Sequence, residues 1–194
     1  MLPFFIIILY CIFRIDIFST LMKTKKCFFF FLALITSALA YSQSPMEELG
    51  KYTGDWKANY IMWMDPSQPP MNSAVKVHSE TIMNGLFLVS KYTGFMMEMN
   101  YEGLLTIGYS NEKKKYVSTW MDNMNSGIDY REGVKSPEGK SIVFEGNMID
   151  SMTGKETPSK LVLTMIGEKE YKLEVMMMMG GMEMKTVEVD LTKE

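Results

Sequence analysis

The stretch YKLEVMMMMGGMEMKTVEVDL, residues 171–191, decides the fold. Apolar and charged residues alternate over 171–175, and apolar residues alternate with polar ones over 186–191, which is typical of β-strands with one buried face. Gly180 and Gly181 lie between the two runs and readily adopt the positive φ angles that a two-residue hairpin turn requires. The stretch therefore predicts two antiparallel strands joined by a tight turn.

The same alternation recurs along most of the chain. Turn-forming pairs such as Asn84-Gly85 and Thr153-Gly154 separate the runs, and no window after Tyr52 has a convincing helical period. One or two helical turns are predicted within 46–52. About ten strands follow, at roughly 54–65, 73–83, 86–94, 97–109, 114–122, 127–135, 140–150, 159–166, 169–179 and 182–192.

Hairpin-linked strands in sequence order must protect the two edges of their sheet from pairing with other chains. Closure into a barrel removes both edges, and a barrel of this size can enclose a small ligand. We therefore predict an all-β, about ten-stranded antiparallel up-and-down barrel with a short N-terminal helical turn. A sandwich of two sheets is the alternative architecture.

The composition is that of a globular protein, with 47% apolar residues, 22% charged residues and a formal charge of −3 over 194 residues. This charge gives no electrostatic footprint for nucleic acid, so no nucleic-acid partner is expected. A single histidine excludes a metal cage built from several histidines. The unusual count is 21 methionines.

The N-terminal region has the pattern of a secretory signal peptide. A basic segment at 22–26 precedes an apolar segment at 27–39, and Ala38-Leu39-Ala40 fits the small-x-small cleavage pattern. The apolar segment is shorter than the roughly 20 residues that span a bilayer. We predict a leader at 1–40 that includes the signal peptide 22–40, cleavage after Ala40, and a secreted or periplasmic protein.

The 21 residues ahead of the signal pattern have three interpretations: translation that starts at Met22, an unusually long leader, or a two-segment membrane anchor. The mature chain, 41–194, is predicted to be a single barrel domain without a membrane span. It would hold 19 methionines, no cysteine and a net charge of −6. No disulfide can then stabilise the fold, and no pattern indicates an oligomeric state.

Two sets of residues resemble known families. Gly54-Asp55-Trp56 resembles the Gly-x-Trp element of lipocalin-like (calycin) barrels, in which the tryptophan closes the bottom of the barrel. A longer match resembles the bacterial family catalogued as domain of unknown function 1579 over roughly 46–192. Its matching segments are Glu102-Gly103-Leu104, Gly108 to Asn111, Lys115-Tyr116, Thr119 to Asp122, Ser126-Gly127, Thr153 to Lys155 and Glu183 to Glu188. This resemblance implies a lipocalin-like fold and no particular activity, catalytic residue or cofactor.

Candidate ligand-binding residues come from the matched segments and the methionine clusters: Trp56, Met96, Met97, Met99, Tyr109, Trp120 and Asp122. A ligand pocket combines apolar walls with a few polar groups. Asp122 shares a strand face with Trp120, so it fits such a pocket. The alternative is that Trp120 packs in the core while Asp122 caps the turn at 123–127.

The methionines also suit a soft metal ion such as Cu(I) or Ag(I), above all on the hairpin at 176–184. The favoured interpretation is that methionine fills a core or pocket, and no metal site is predicted. His78 lies on the strand face of Lys76 and Glu80, so we expect it at the surface and not as a haem ligand. Asp129 and Glu132, possible acid–base partners, are assigned to solvated strand faces.

The sequence thus favours a barrel that binds a small apolar or amphipathic ligand without catalysis and without a cofactor. One alternative is an enzyme on the same barrel that uses Asp122 or Tyr109 as acid or base. The others are a soft-metal binder and a structural or interaction protein.

Overall fold

The computed structural model describes residues 44–65, 67–149 and 154–194, and the predicted leader lies outside them. A short helix α1 (Pro45–Leu49) and a 3-10 turn (Gly50–Tyr52) precede ten strands. The strands are β1 (Gly54–Met62), β2 (Met71–Ile82), β3 (Phe87–Met96), β4 (Met99–Ser110), β5 (Lys115–Asp122), β6 (Asp129–Lys135), β7 (Ser141–Ile149), β8 (Glu156–Met165), β9 (Glu170–Met179) and β10 (Met182–Lys193). In this part of the chain no helix is long and apolar enough to cross a membrane.

The ten strands form one closed antiparallel barrel in which every strand pairs with its sequence neighbours. The first and last strands close the barrel, with Ala58 opposite Leu191 and Tyr60 opposite Val189. The predicted ten-stranded up-and-down barrel is therefore confirmed, and its closure rules out the sandwich. The architecture is consistent with a lipocalin-like fold.

Alternation along each strand divides the inside of the barrel from the outside. In β1, the buried residues Trp56, Ala58 and Tyr60 alternate with exposed neighbours. The register between β9 and β10 shifts between Lys185 and Val187, so Thr186 is the extra residue of a β-bulge.

Some hairpin turns contain glycine, which makes them recognisable in the sequence, and others do not. Gly180 and Gly181 form the predicted turn between β9 and β10, with φ angles of 59° and 84°. Between β3 and β4 the turn residues are Met97 and Glu98, with φ angles of 52° and 63°. Non-glycine residues are uncommon in this conformation. The predicted strand therefore begins at 97, whereas β4 begins at Met99.

The N-terminal helical segment closes one end of the barrel. Met46, Leu49 and Tyr52 are buried there. The indole of Trp56 is fully buried, its Nε1 donates to the Tyr52 carbonyl at 3.1 Å, and its ring lies 4.8 Å from that of Tyr171. We call this end of the barrel, which aromatic and aliphatic side chains fill, the closed end.

Candidate ligand-binding cavity

A cavity of about 380 Å³ lies inside the other end of the barrel, which we call the open end. It is lined by residues toward the ends of β1, β5, β7 and β9, at the start of β6 and in the middle of β3, β4, β8 and β10, together with the loops after β1 and β5. The helical segment contacts the opposite strand ends, as at Tyr116 and Tyr171. The lining residues are Tyr60, Met62, Trp63, Met64, Tyr92, Leu105, Trp120, Asp122, Met124, Asn125, Asp129, Arg131, Met148, Ile149, Leu161, Leu173, Val175, Met177, Met179, Thr186, Val187 and Val189.

Most of the cavity wall is apolar, and methionine is its commonest residue. Six methionines, which come from three strands and two loops, line it: Met62, Met64, Met124, Met148, Met177 and Met179. Methionine is flexible and polarizable, so such a wall can adapt to ligands of different shape. Two tryptophans, Trp63 and Trp120, add flat apolar surfaces.

Trp120 is held in place from two sides. Its Nε1 donates to Asp122 Oδ2 at 2.8 Å, and its ring lies 5.2 Å from the ring of Tyr92. Gly103 on the neighbouring strand makes room for the indole, because a β-carbon there would lie 2.8 Å from the Trp120 ring. Because Gly103 has no side chain, the Trp120 indole can lie against β4 and form this part of the cavity wall.

Asp122 has a structural role as well as a place in the lining. Its Oδ1 accepts hydrogen bonds from the backbone amides of Met124 at 3.0 Å and Asn125 at 3.2 Å. Together with the Trp120 indole, three donors therefore engage this carboxylate. Asp122 therefore caps the turn, which is one of its two predicted roles, and it also lines the cavity.

A buried ion pair lies in the cavity wall. Arg131, whose side chain is 3% exposed, donates from Nε to Ser159 Oγ at 3.0 Å and from Nη2 to Asp129 Oδ2 at 3.3 Å. Nη2 also lies 3.7 Å from the sulfur of Met148. Burial raises the pKa of Asp129 although the Arg131 guanidinium opposes this shift. The assignment of Asp129 to a solvated strand face was wrong, because Asp129 lies beside Arg131 in the barrel wall.

Buried hydroxyl groups extend the polar part of the barrel interior. Within the described residues, the hydroxyls of Tyr92, Tyr101 and Ser118 are buried and have no hydrogen-bond partner. Ser118 lies directly opposite Arg131 in the sheet, and Tyr92 lines the cavity. Burial raises the pKa of Tyr92 well above its usual range, so this phenol stays protonated beside the Tyr171 hydroxyl, with which it forms no hydrogen bond of good geometry.

The structure distributes the candidate residues over three places. Trp120 and Asp122 line the cavity. Trp56 belongs to the closed end, as does Tyr109, whose ring lies 5.1 Å from that of Tyr116. The first methionine cluster divides at the β3–β4 turn: Met96 is buried, whereas Met97 and Met99 are exposed, and none of the three lines the cavity.

Other lining residues were missed by sequence reasoning. Arg131 could have been recognised from the sequence, because it occupies an inward position of β6 two residues before the buried Gly133. A charged residue at such a position is a sign of a buried pair. Met62 and Met148 carry no comparable signal, since each is one methionine at the end of an alternating strand.

His78 lies on the outside of the barrel, as predicted. Its side chain is 60% exposed, and its Nδ1 lies 2.6 Å from Asp55 Oδ1. The hydrogen bond with Asp55 raises the pKa of His78. In residues 44–65, 67–149 and 154–194, no three His, Cys, Asp or Glu side chains are grouped as metal ligands.

These features define a class: a closed ten-stranded barrel, packed at one end and hollow at the other. The chain belongs to the family described as protein of unknown function (DUF1579), whose model matches residues 42–193. The chain is also similar to Rv2717c from M. tuberculosis, known from a crystal structure, with 15% identity and a TM-score of 0.55. That match covers 78% of this chain and 98% of the other, and it shows the fold alone. No curated protein sequence matches the chain.

Proposed function

We propose that the protein binds a small apolar or amphipathic molecule in the open-end cavity and does not transform it. The observation that carries this proposal is the cavity of about 380 Å³ inside a barrel whose other end is packed. Ligand pockets typically measure about 300–1,000 Å³ and combine apolar walls with a few polar groups. The methionine and tryptophan walls with the Asp129–Arg131 pair fit that description.

The positions of the candidate acid–base groups favour binding over catalysis. Tyr109 lies at the closed end and outside the cavity lining. Asp122 lines the cavity, but its carboxylate is engaged by the Trp120 indole and two backbone amides. A general base needs a free lone pair within reach of the proton that it removes. Tyr109 is out of reach of the cavity, and three hydrogen bonds occupy most of the acceptor capacity of Asp122.

Native mass spectrometry of the protein purified from its own cell envelope tests the proposal. We expect an adduct of small mass that organic solvent removes. The matched variant is Val175→Trp, which places an indole in the cavity and should abolish the adduct, whereas Tyr109→Phe should retain it. Protein without an adduct that also fails to bind decanol saturably would contradict the proposal.

A soft-metal function is the second candidate, because six methionine thioethers line the same cavity. Thioethers bind Cu(I) and Ag(I) well, but the Arg131 guanidinium beside Met148 disfavours a second cation there. Titration with Ag(I), followed by mass spectrometry, separates the two functions. Stoichiometric binding at micromolar Ag(I) that Met177→Leu abolishes would favour the metal.

Export is part of the proposal, and the signal pattern at 22–40 supports it. Such a protein would meet its ligand outside the cytoplasm. The test is N-terminal sequencing of protein from the periplasm or the medium, with Tyr41 as the expected first residue. Retention of the full leader on protein in the cytoplasm would contradict this part.

A further inference from the structure

We propose that the ligand is a neutral amphipathic molecule that places a hydroxyl or carbonyl group against Arg131, and that carboxylates and ammonium ions are disfavoured. This inference rests on the proposed function and adds the chemical class of the ligand. Three features of the cavity carry it: a charge-balanced ion pair, unused donor capacity beside that pair, and a buried phenol without a well-formed hydrogen bond.

The first feature is the balance of charge. The Arg131 guanidinium is buried and already faces the Asp129 carboxylate at 3.3 Å. A ligand carboxylate would therefore enter a site in which the positive charge is compensated, next to a carboxylate that repels it. Burial of an uncompensated charge is costly, whereas a neutral oxygen leaves the balance unchanged.

The second feature is donor capacity. A guanidinium carries five N–H donors, and Arg131 uses Nε and Nη2 for three acceptors among the described residues: Ser159, Asp129 and the Met148 sulfur. A hydroxyl or carbonyl oxygen can accept from the remaining N–H groups. The weak sulfur acceptor is also the easiest of the three to displace.

The third feature is the Tyr92 hydroxyl. Tyr92 is completely buried and lines the cavity, and its hydroxyl lies near that of Tyr171 but makes no well-formed hydrogen bond among the described residues. A buried polar group without a partner destabilises the protein, so a ligand that supplies an acceptor gains affinity. The oxygen of an alcohol or ketone meets this need.

An ammonium ion is disfavoured by the same geometry. The Arg131 cation lies in the wall, and its counter-ion Asp129 is already engaged. The other carboxylate of the lining, Asp122, accepts three hydrogen bonds at the entrance of the cavity. An ammonium group beside Arg131 would therefore meet a like charge, and Asp122 retains a single free lone pair with which to receive it.

The test measures dissociation constants of decanol, decanoate and decylamine for the mature protein by calorimetry. These probes share one alkyl chain and differ in the terminal group alone. We expect decanol to bind at least about tenfold more tightly than either ion. Tyr92→Phe should weaken decanol binding about 2–10-fold without lowering the unfolding midpoint, and the control Tyr109→Phe should leave binding unchanged.

The variant Asp129→Asn tests the role of charge balance most directly, because it removes the counter-ion and leaves the Arg131 charge uncompensated. Decanoate should then bind at least about tenfold more tightly than it binds the unchanged protein, provided that circular dichroism shows a folded barrel. The comparison of the three probes on the unchanged protein needs no variant, so it tests the ligand class even if Asp129→Asn does not fold.

The outcomes separate the two claims. If decanoate or decylamine binds the unchanged protein as tightly as decanol, the inference about ligand class is wrong while the binding function stands. If folded Asp129→Asn binds decanoate no better, the role of charge balance is refuted. If none of the three probes binds saturably, the proposed function itself fails.

Discussion

The two ends of the barrel are built from the same ten strands but are packed differently. At the closed end, Trp56, Tyr52 and Tyr171 fill the interior with rings 4.8–6.0 Å apart. At the open end the strands surround a cavity, and much of its wall is methionine. Rigid aromatic packing therefore stabilises one end, while flexible side chains at the other leave space that a ligand can use.

Most of the exposed methionines follow the same division, whereas Met83, Leu86 and Ile166 are exposed at turns of the closed end. Met64, Phe95, Met97, Met99, Met124 and Met182 are exposed, and all lie in or beside the loops of the open end. Buried methionines include Met46 at the closed end and Met96 beside the β3–β4 turn. The methionine excess is therefore concentrated where the barrel opens, in the cavity and around it.

The largest expected difference between the ends is in stability. Trp56→Ala removes a fully buried indole from the closed end and should lower the free energy of unfolding by about 3–5 kcal/mol. Trp63→Ala at the open end removes a partly exposed indole and should cost less than about 2 kcal/mol. Urea denaturation of both variants measures the difference. Equal losses would show that the two ends are packed alike.

Added volume should separate the two ends in the same direction, with the larger loss of stability again at the closed end. Val77→Trp places an indole in the packed end opposite Trp56 and should destabilise the protein by about 1–3 kcal/mol or more. Val175→Trp enters the cavity and should cost less than about 1 kcal/mol while abolishing ligand binding. Thermal unfolding with and without decanol checks both variants. A strongly destabilised Val175→Trp would mean that the cavity space is not accessible to side chains.

Oxidation rates should separate the methionines by exposure. With dilute hydrogen peroxide, the exposed Met97, Met99 and Met182 should form sulfoxides first, whereas Met46 and Met96 should resist until the protein unfolds. Peptide mass spectrometry over time gives the individual rates, and the same reaction in urea is the control. Uniform rates in the folded protein would contradict the placement of these side chains.

The smallest effect concerns His78 on the outer surface. Because the hydrogen bond with Asp55 raises the pKa of His78 in the folded state, the pair stabilises the protein fully below the pKa of the unfolded histidine. This stabilisation is lost as the pH rises through the folded pKa. An NMR titration should show a raised pKa that returns to its ordinary value in Asp55→Asn. An unchanged titration in that variant would refute the pairing.

The fold was largely predictable from sequence, and the cavity was not, for a physical reason. Strand alternation is local, so the ten strands follow from neighbouring residues, and closure follows from the need to protect the two sheet edges. Boundaries differ from the prediction by two or three residues, as at the Met97-Glu98 turn and at β8, which starts at Glu156 and not at 159. The polar part of the cavity depends on partners from different strands. Arg131 meets Ser159, which is 28 residues away, and no local pattern announces that contact.

The most direct test of the difference between the ends is an NMR titration of the mature protein with isotope-labelled methionine methyl groups and decanol. We expect saturable shifts of the cavity methionines Met62, Met148 and Met177, with Met46 at the closed end unaffected. No saturable shift of the cavity methyl groups, or shifts confined to the exposed Met97 and Met182, would contradict a binding cavity inside the open end.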